Sequence, residues 1–283
     1  MQIFGYYLPI LKRVFAGLTA LLALVVARFY PATPPEYHED VGVTSFVLFD
    51  ALVRAQGVTT DGEFFYFSWN YGITKTDLTG NKVVRRKLLA IPPALLLKGV
   101  DHIGGISHYD GKLYCAMEDS GAFEDLYIAV FDAKTLKLIQ YKAVPLEAHA
   151  FGIPWCAADP DTGLVYSARR DHFTELNIYD PDTLELIDTL PLDAPVHKIQ
   201  GGEVHCGVLY VAASREGQAI FAINLTTGQV QKVFGRNVPG GKGQGMTILP
   251  MDNGAFFHVL DEDKLRLSIH LRSYAFDPAS LVW

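Results

Sequence analysis

Five groups able to carry positive charge recur at one rank in this chain. Arg54, His102, His149, Lys198 and Lys242 each stand three positions ahead of a glycine, at 57, 105, 152, 201 and 245. His197 adjoins Lys198, and Gln56, Gln200 and Gln244 directly precede their glycines. Cations gathered in a confined mouth attract negative charge, and amides beside them orient a polar group. These nine residues are therefore the expected ligand-binding set, for a small anionic or polar ligand or a peptide end. His102, His149 and His197 come from three successive repeats, and three imidazoles can bind Zn²⁺ or another divalent ion. No short ligand spacing such as H-E-x-x-H or C-x-x-C accompanies them, so no metal is assigned and the cofactor stays unknown. A second set follows one strand later: Trp69-Asn70, Glu118-Asp119, Arg170-Asp171, Arg215-Glu216 and Asp261-Glu262. It reads either as a recognition rim or as solvated loop ends.

The elements that must position these residues are strands. The glycines lie 44 to 49 residues apart, and each opens a strand, a tight turn and a second strand rich in aromatic and β-branched residues, as in Gly105-Ile106-Ser107-His108-Tyr109-Asp110-Gly111-Lys112-Leu113-Tyr114. A later hairpin repeats as Asp77-Leu78-Thr79-Gly80, Asp132-Ala133-Lys134-Thr135-Leu136, Asp180-Pro181-Asp182-Thr183-Leu184 and Asn224-Leu225-Thr226-Thr227-Gly228. A strand-only unit with this period predicts an all-β fold: a single five-bladed β-propeller of four-stranded blades. The last hairpin, at Asp277-Pro278, leaves the fifth blade without an outer strand. The β-rich stretch at about 41–49 is expected to supply it and so clasp the two ends of the chain. Asp159-Pro160-Asp161-Thr162-Gly163 reads as a hairpin turn rather than a calcium loop, because a strand follows at once.

Composition narrows the function. A formal charge of −7 over 283 residues, with no basic run, excludes a nucleic-acid binder. Three cysteines, Cys115, Cys156 and Cys206, are too few for a disulfide framework. Lys12-Arg13 precedes an apolar run over residues 14–27, which matches a secretory signal or a short anchor. The expected organisation is a signal peptide or membrane anchor over 1–29, a Pro-rich linker over 30–40, with His38 a solvated linker residue, and the propeller over 41–283. The membrane is then a partner through the N-terminal helix if it stays uncleaved, and the protein is secreted or anchored outside the cytoplasm.

Ala55-Gln56-Gly57-Val58, Asp61-Gly62, Phe65-Tyr66-Phe67-Ser68 and Asp77-Leu78-Thr79-Gly80 resemble the opening blade of the plant-type glutaminyl cyclase family, and the hairpins resemble YncE and quinoprotein-like repeats. The resemblance implies a five-bladed propeller that closes N-terminal glutamine to pyroglutamate. The family places a glutamate acid/base directly after the blade's tyrosine; here Phe67 stands there and can move no proton. Three readings follow: a non-catalytic propeller binding a ligand in a basic funnel; an enzyme, either a divergent cyclase or a metal-assisted hydrolase or lyase; and a cell-surface scaffold for a protein partner.

Overall fold

Short apolar runs punctuated by Asp- and Gly-centred turns leave the chain little choice but hairpins. The computed structural model describes residues 37–214, 217–236, 238 and 241–283, and it contains five four-stranded antiparallel sheets. Blade 1 comprises Val58–Thr60, Phe65–Trp69, Gly72–Thr76 and Val83–Lys87. Blade 2 comprises His102–Tyr109, Lys112–Glu118, Leu126–Asp132 and Leu138–Ala143. Blade 3 comprises Ala157–Ala158, Val165–Ser167, Phe173–Tyr179 and Leu186–Val196. Blade 4 comprises Ile199–His205, Val208–Ala213, Ile220–Asn224 and Val230–Phe234. The fifth runs Lys242–Ile248, Ala255–Glu262 and Ser268–Ala275, and takes its outer strand from Gly42–Val47. Gly42 pairs with Ser273 and Val47 with Ser268, so the predicted clasp is present.

The repeat glycines serve close approach at the axis. A Cβ on Gly57 would sit 2.8 Å from the Ile106 nitrogen, and one on Gly105 would sit 2.8 Å from the Trp155 Cβ. Gly201 meets Gly245, and Gly245 meets Gly57, at comparable distances. Blade 3 departs from the expected pattern. Its inner strand begins after Trp155-Cys156, and Gly152 lies on the loop before it. The axis itself is filled by Glu203 of blade 4, which joins hydroxyls of blades 1, 2 and 5.

The clasp is locked from inside. Phe46 packs edge-on to Phe67 at 5.6 Å, and the Arg54 guanidinium lies over Phe46 at 4.5 Å while bonding the Asp50 carboxylate at 2.8 Å and the Gly80 carbonyl at 3.3 Å. Residues 37–40, expected as the end of the Pro-rich linker, lie against the ring. His38 stacks on Phe234 at 4.3 Å and hydrogen-bonds the Ala275 carbonyl, and Asp40 pairs with Arg272 at 2.8 Å. His38 is solvent-exposed as expected, but it is stacked and bonded to the ring. Asp159 caps its own turn by accepting from the Asp161 nitrogen and the Thr162 hydroxyl, which is hairpin chemistry. Cys115 and Cys156 are buried, and Cys206 is exposed on a hairpin. The signal or anchor segment and most of the linker lie outside the described residues. Among the described residues no helix is long and apolar enough to cross a membrane.

Candidate functional site

Loops that lead into the inner strands and loops that join second to third strands emerge at the same end of each blade, so both residue sets belong to one mouth. The structure pairs them. Glu118, at the end of the second strand of blade 2, is fully buried. It faces His102 Nδ1 at 3.0 Å and Arg170, and accepts the Ile153 N–H at 2.9 Å. Arg170 is positioned by the Phe151 carbonyl at 2.7 Å and by the ring of Phe123 at 4.9 Å. Gly152, with φ +108°, is what lets the loop pass over Glu118, since a Cβ there would strike Oε2. Asp171 holds Lys198 at 2.5 Å, and His197 Nδ1 lies 3.8 Å from the same carboxylate. His172 and His197 face each other, Nδ1 to Nδ1, at 3.2 Å.

The third pairing lies between blades 5 and 1. A cleft of about 290 Å³ is lined by Leu52, Gln56, Trp69, Tyr71, Lys242 and Gln244, with Glu262 and Arg266 at its side. Gln56 Nε2 donates to Asn70 Oδ1 at 3.1 Å, and Gln244 Nε2 donates to Glu262 Oε2 at 3.2 Å. The Gln244 side chain is buried and its Oε1 has no partner among the described residues. Desolvation pushes the Lys242 pKa down against the pull of Glu262, and Arg266 and Arg170 push the same way.

Two expected members of the cationic ring point elsewhere. Arg54 is turned into the clasp described above. His149 is buried against Tyr179, with Nε2 2.6 Å from the phenol oxygen, and burial pushes its pKa down to about 4. Gln200 carries no side-chain hydrogen bond among the described residues; its backbone carbonyl lies beside Gly105. His102, His149 and His197 therefore take three separate partners, and among the described residues no group of three His, Cys, Asp or Glu side chains is placed to hold a metal ion.

No family model matches the chain, and no curated protein matches it. Among solved structures the chain is similar to Kuenenia stuttgartiensis Hydrazine Synthase, at 14% identity and a TM-score of 0.46. The match covers 81% of this chain and 59% of that one. No activity follows from that likeness.

The mouth is thus charge-paired around its rim rather than uniformly basic. Sequence reasoning named both sets but missed that one neutralises the other. Asp119 ties its own loop by accepting from the nitrogens of Ala122, Glu124 and Asp125, and Asp261 is buried against Arg236 at 2.8 Å. Arg215 and Glu216 lie outside the described residues. The pairing was partly readable, since carboxylates end the second strands of blades 2 and 5 where cations precede the inner strands.

Proposed function

We propose that this chain is a ligand-binding propeller that takes, at the cleft beside Lys242 and Gln244, a small polar molecule bearing an anionic group and a hydrogen-bond donor. The Gln244 amide carries the reading. Its Nε2 is committed to Glu262, because the reversed amide would set oxygen against carboxylate, so Oε1 is left as a buried acceptor. Such a group left unmatched costs about 1–3 kcal/mol, which a donating ligand removes. Lys242 supplies the opposite demand: its ammonium at the edge of the cleft is stabilised by a negative group beside it. Trp69 and Leu52 provide an apolar wall. The N-terminal basic pair and apolar run support a site of action outside the cytoplasm.

Phe67 supports a non-catalytic reading. The position that the cyclase resemblance gives to an acid/base is buried against Phe46 and Phe65. An enzymatic reading is favoured by one observation only: the Glu118 carboxylate orients His102 through Nδ1, an arrangement that leaves Nε2 for proton transfer. Calorimetric titration with a panel of amino acids, hydroxy acids and sugar acids tests the two readings. The binding reading expects one class to bind without turnover, and Gln244→Leu and Lys242→Met each to weaken it about tenfold or more. Binding unaffected by both variants would overturn it, and turnover lost in His102→Gln would favour the enzyme.

A further inference from the structure

Strand pairing sets two opposite charges beside the cleft without closing them on each other. Lys242 and Glu262 are Cα partners across the first two strands of blade 5, so their side chains leave the sheet on the same face. Both line the cleft, yet the ion pair that Glu262 makes is with Arg266, and Lys242 makes none among the described residues. Arg266 is a weak competitor. Its Nε reaches Glu262 Oε1 only at 3.5 Å, from a turn where its side chain is 74% exposed. An ion pair so open to water holds its carboxylate loosely. The other oxygen, Oε2, accepts from Gln244 Nε2 at 3.2 Å. One amide thus sets its own unmatched Oε1 next to the Glu262 carboxylate. Two acceptors stand together, with an ammonium on the neighbouring strand.

We infer that the cleft takes a free α-amino acid with an apolar side chain. Its ammonium lies between Gln244 Oε1 and Glu262, its carboxylate meets Lys242, and its side chain lies against Trp69 and Tyr71. This rests on the binding reading above and names the class of ligand. An ammonium carries three donors and no acceptor, so it satisfies both acceptors at once, whereas a hydroxyl has one proton to give. Its bond to Glu262 is also charge-assisted. An amino acid holds its two charges on one carbon, which matches a cation and an anion that stand side by side unpaired. A peptide parts the same charges to its two ends, so only one of them can engage. The cleft, at about 290 Å³, is at the small end of ligand pockets, which suits a single residue. The rings of Trp69 and Tyr71 meet edge to face at 5.6 Å, and Leu52 and Ile269 extend the apolar wall. That wall offers nothing to the hydroxyls of a sugar acid.

The test is calorimetric titration of the full-length chain with L-leucine and L-phenylalanine. Each is paired with its 2-hydroxy acid, which lacks the ammonium, and its amide, which lacks the carboxylate. Each analogue should bind at least about tenfold more weakly than its parent, since each loses a charge-assisted hydrogen bond. Glu262→Gln should abolish the preference for amino acid over hydroxy acid while leaving the hydroxy acid's affinity unchanged, and Lys242→Met should weaken both. The series on the native chain stands whether or not either variant folds. A hydroxy acid that binds the native chain as tightly as its amino acid would overturn the inference and leave the broader reading, an anion with a donor, in place. So would a folded Glu262→Gln chain that keeps the preference, or a sugar acid bound where every amino acid fails. A native chain that binds no amino acid, hydroxy acid or sugar acid loses both readings together.

Discussion

Thr59 of blade 1 donates its hydroxyl to Glu203 of blade 4 across the axis of the ring, Oγ1 to Oε2 at 2.9 Å. The same oxygen receives Thr247 of blade 5 at 3.1 Å, and the other receives Ser107 of blade 2 at 3.1 Å. Ser107 Oγ in turn accepts the Ala158 N–H of blade 3 at 2.9 Å, so a single carboxyl connects all five blades. Burial pushes its pKa up to about 8, against the lowering effect of the three hydroxyls. The protonated form can donate to Thr247 Oγ1, which has no other side-chain bond among the described residues, without any heavy atom moving.

Stability should fall with rising pH on account of this one group. The folded pKa lies above the unfolded value of 4.5, so the contribution is intact below pH 4.5, declines as the pH rises to about 8, and is flat beyond. The loss is several kcal/mol in order of magnitude. Urea denaturation at pH 5, 7 and 9 should show the decline in the native chain and not in Glu203→Gln. Equal slopes in the two proteins would show that Glu203 is ionised throughout.

His149 should set the acid limb. Burial lowers its pKa to about 4, partly offset by the Ala168 carbonyl. Its contribution is present above pH 6.5 and is lost as the pH falls towards 4. His149→Gln is expected to cost stability at pH 7 yet lose less than the native chain between pH 6.5 and 4.5. With Glu203 acting in the other direction, the optimum lies on the mildly acidic side of neutral.

Truncating the key of the clasp should open the ring. Phe46→Ala removes a buried ring held between Arg54 and Phe67, and such truncations cost about 3–5 kcal/mol. Hydrogen exchange should then rise first in Ser268–Ala275, the strand that Gly42–Val47 covers. Uniform exchange over all five blades would show that closure and the blades melt as one unit.

Gly152→Ala should damage the mouth more than the blades. The new methyl meets the Glu118 carboxylate, and the backbone there has φ +108°. A loss of about 2–4 kcal/mol is expected, together with broadened His102 ring resonances in NMR as its partner is displaced. His102 resonances unchanged from the native chain would mean that the loop relaxes without disturbing Glu118.

Blade number, hairpins and clasp were legible because each rests on local chemistry: glycine at the axis, Asx turns, and a strand left without a partner. Blade 3 was misread because Gly152 falls near the right spacing but answers to Glu118, whereas Trp155-Cys156 occupy the axial place. The side-chain directions were not legible. Arg54 and Lys242 share a rank, yet Arg54 has Asp50 four residues before it and Phe46 beyond, and turns away from the mouth. The axial cluster was legible and was missed. Thr59, Ser107, Glu203 and Thr247 each stand two positions after a repeat glycine, and a lone acid among hydroxyls at that rank marks a shared centre.

The outer strand of blade 5 comes from the first described residues of the chain, and its partner from nearly the last. A ribosome therefore makes one half of the seam some 220 residues before the other, a separation that belongs to slow, non-local assembly. Until Ser268–Ala275 emerges, the nascent Gly42–Val47 segment is an orphan edge, and blades 1 to 4 form an open arc. The finished wheel can appear only once Ser268–Ala275 has emerged, and until then the ring stays open and threadable.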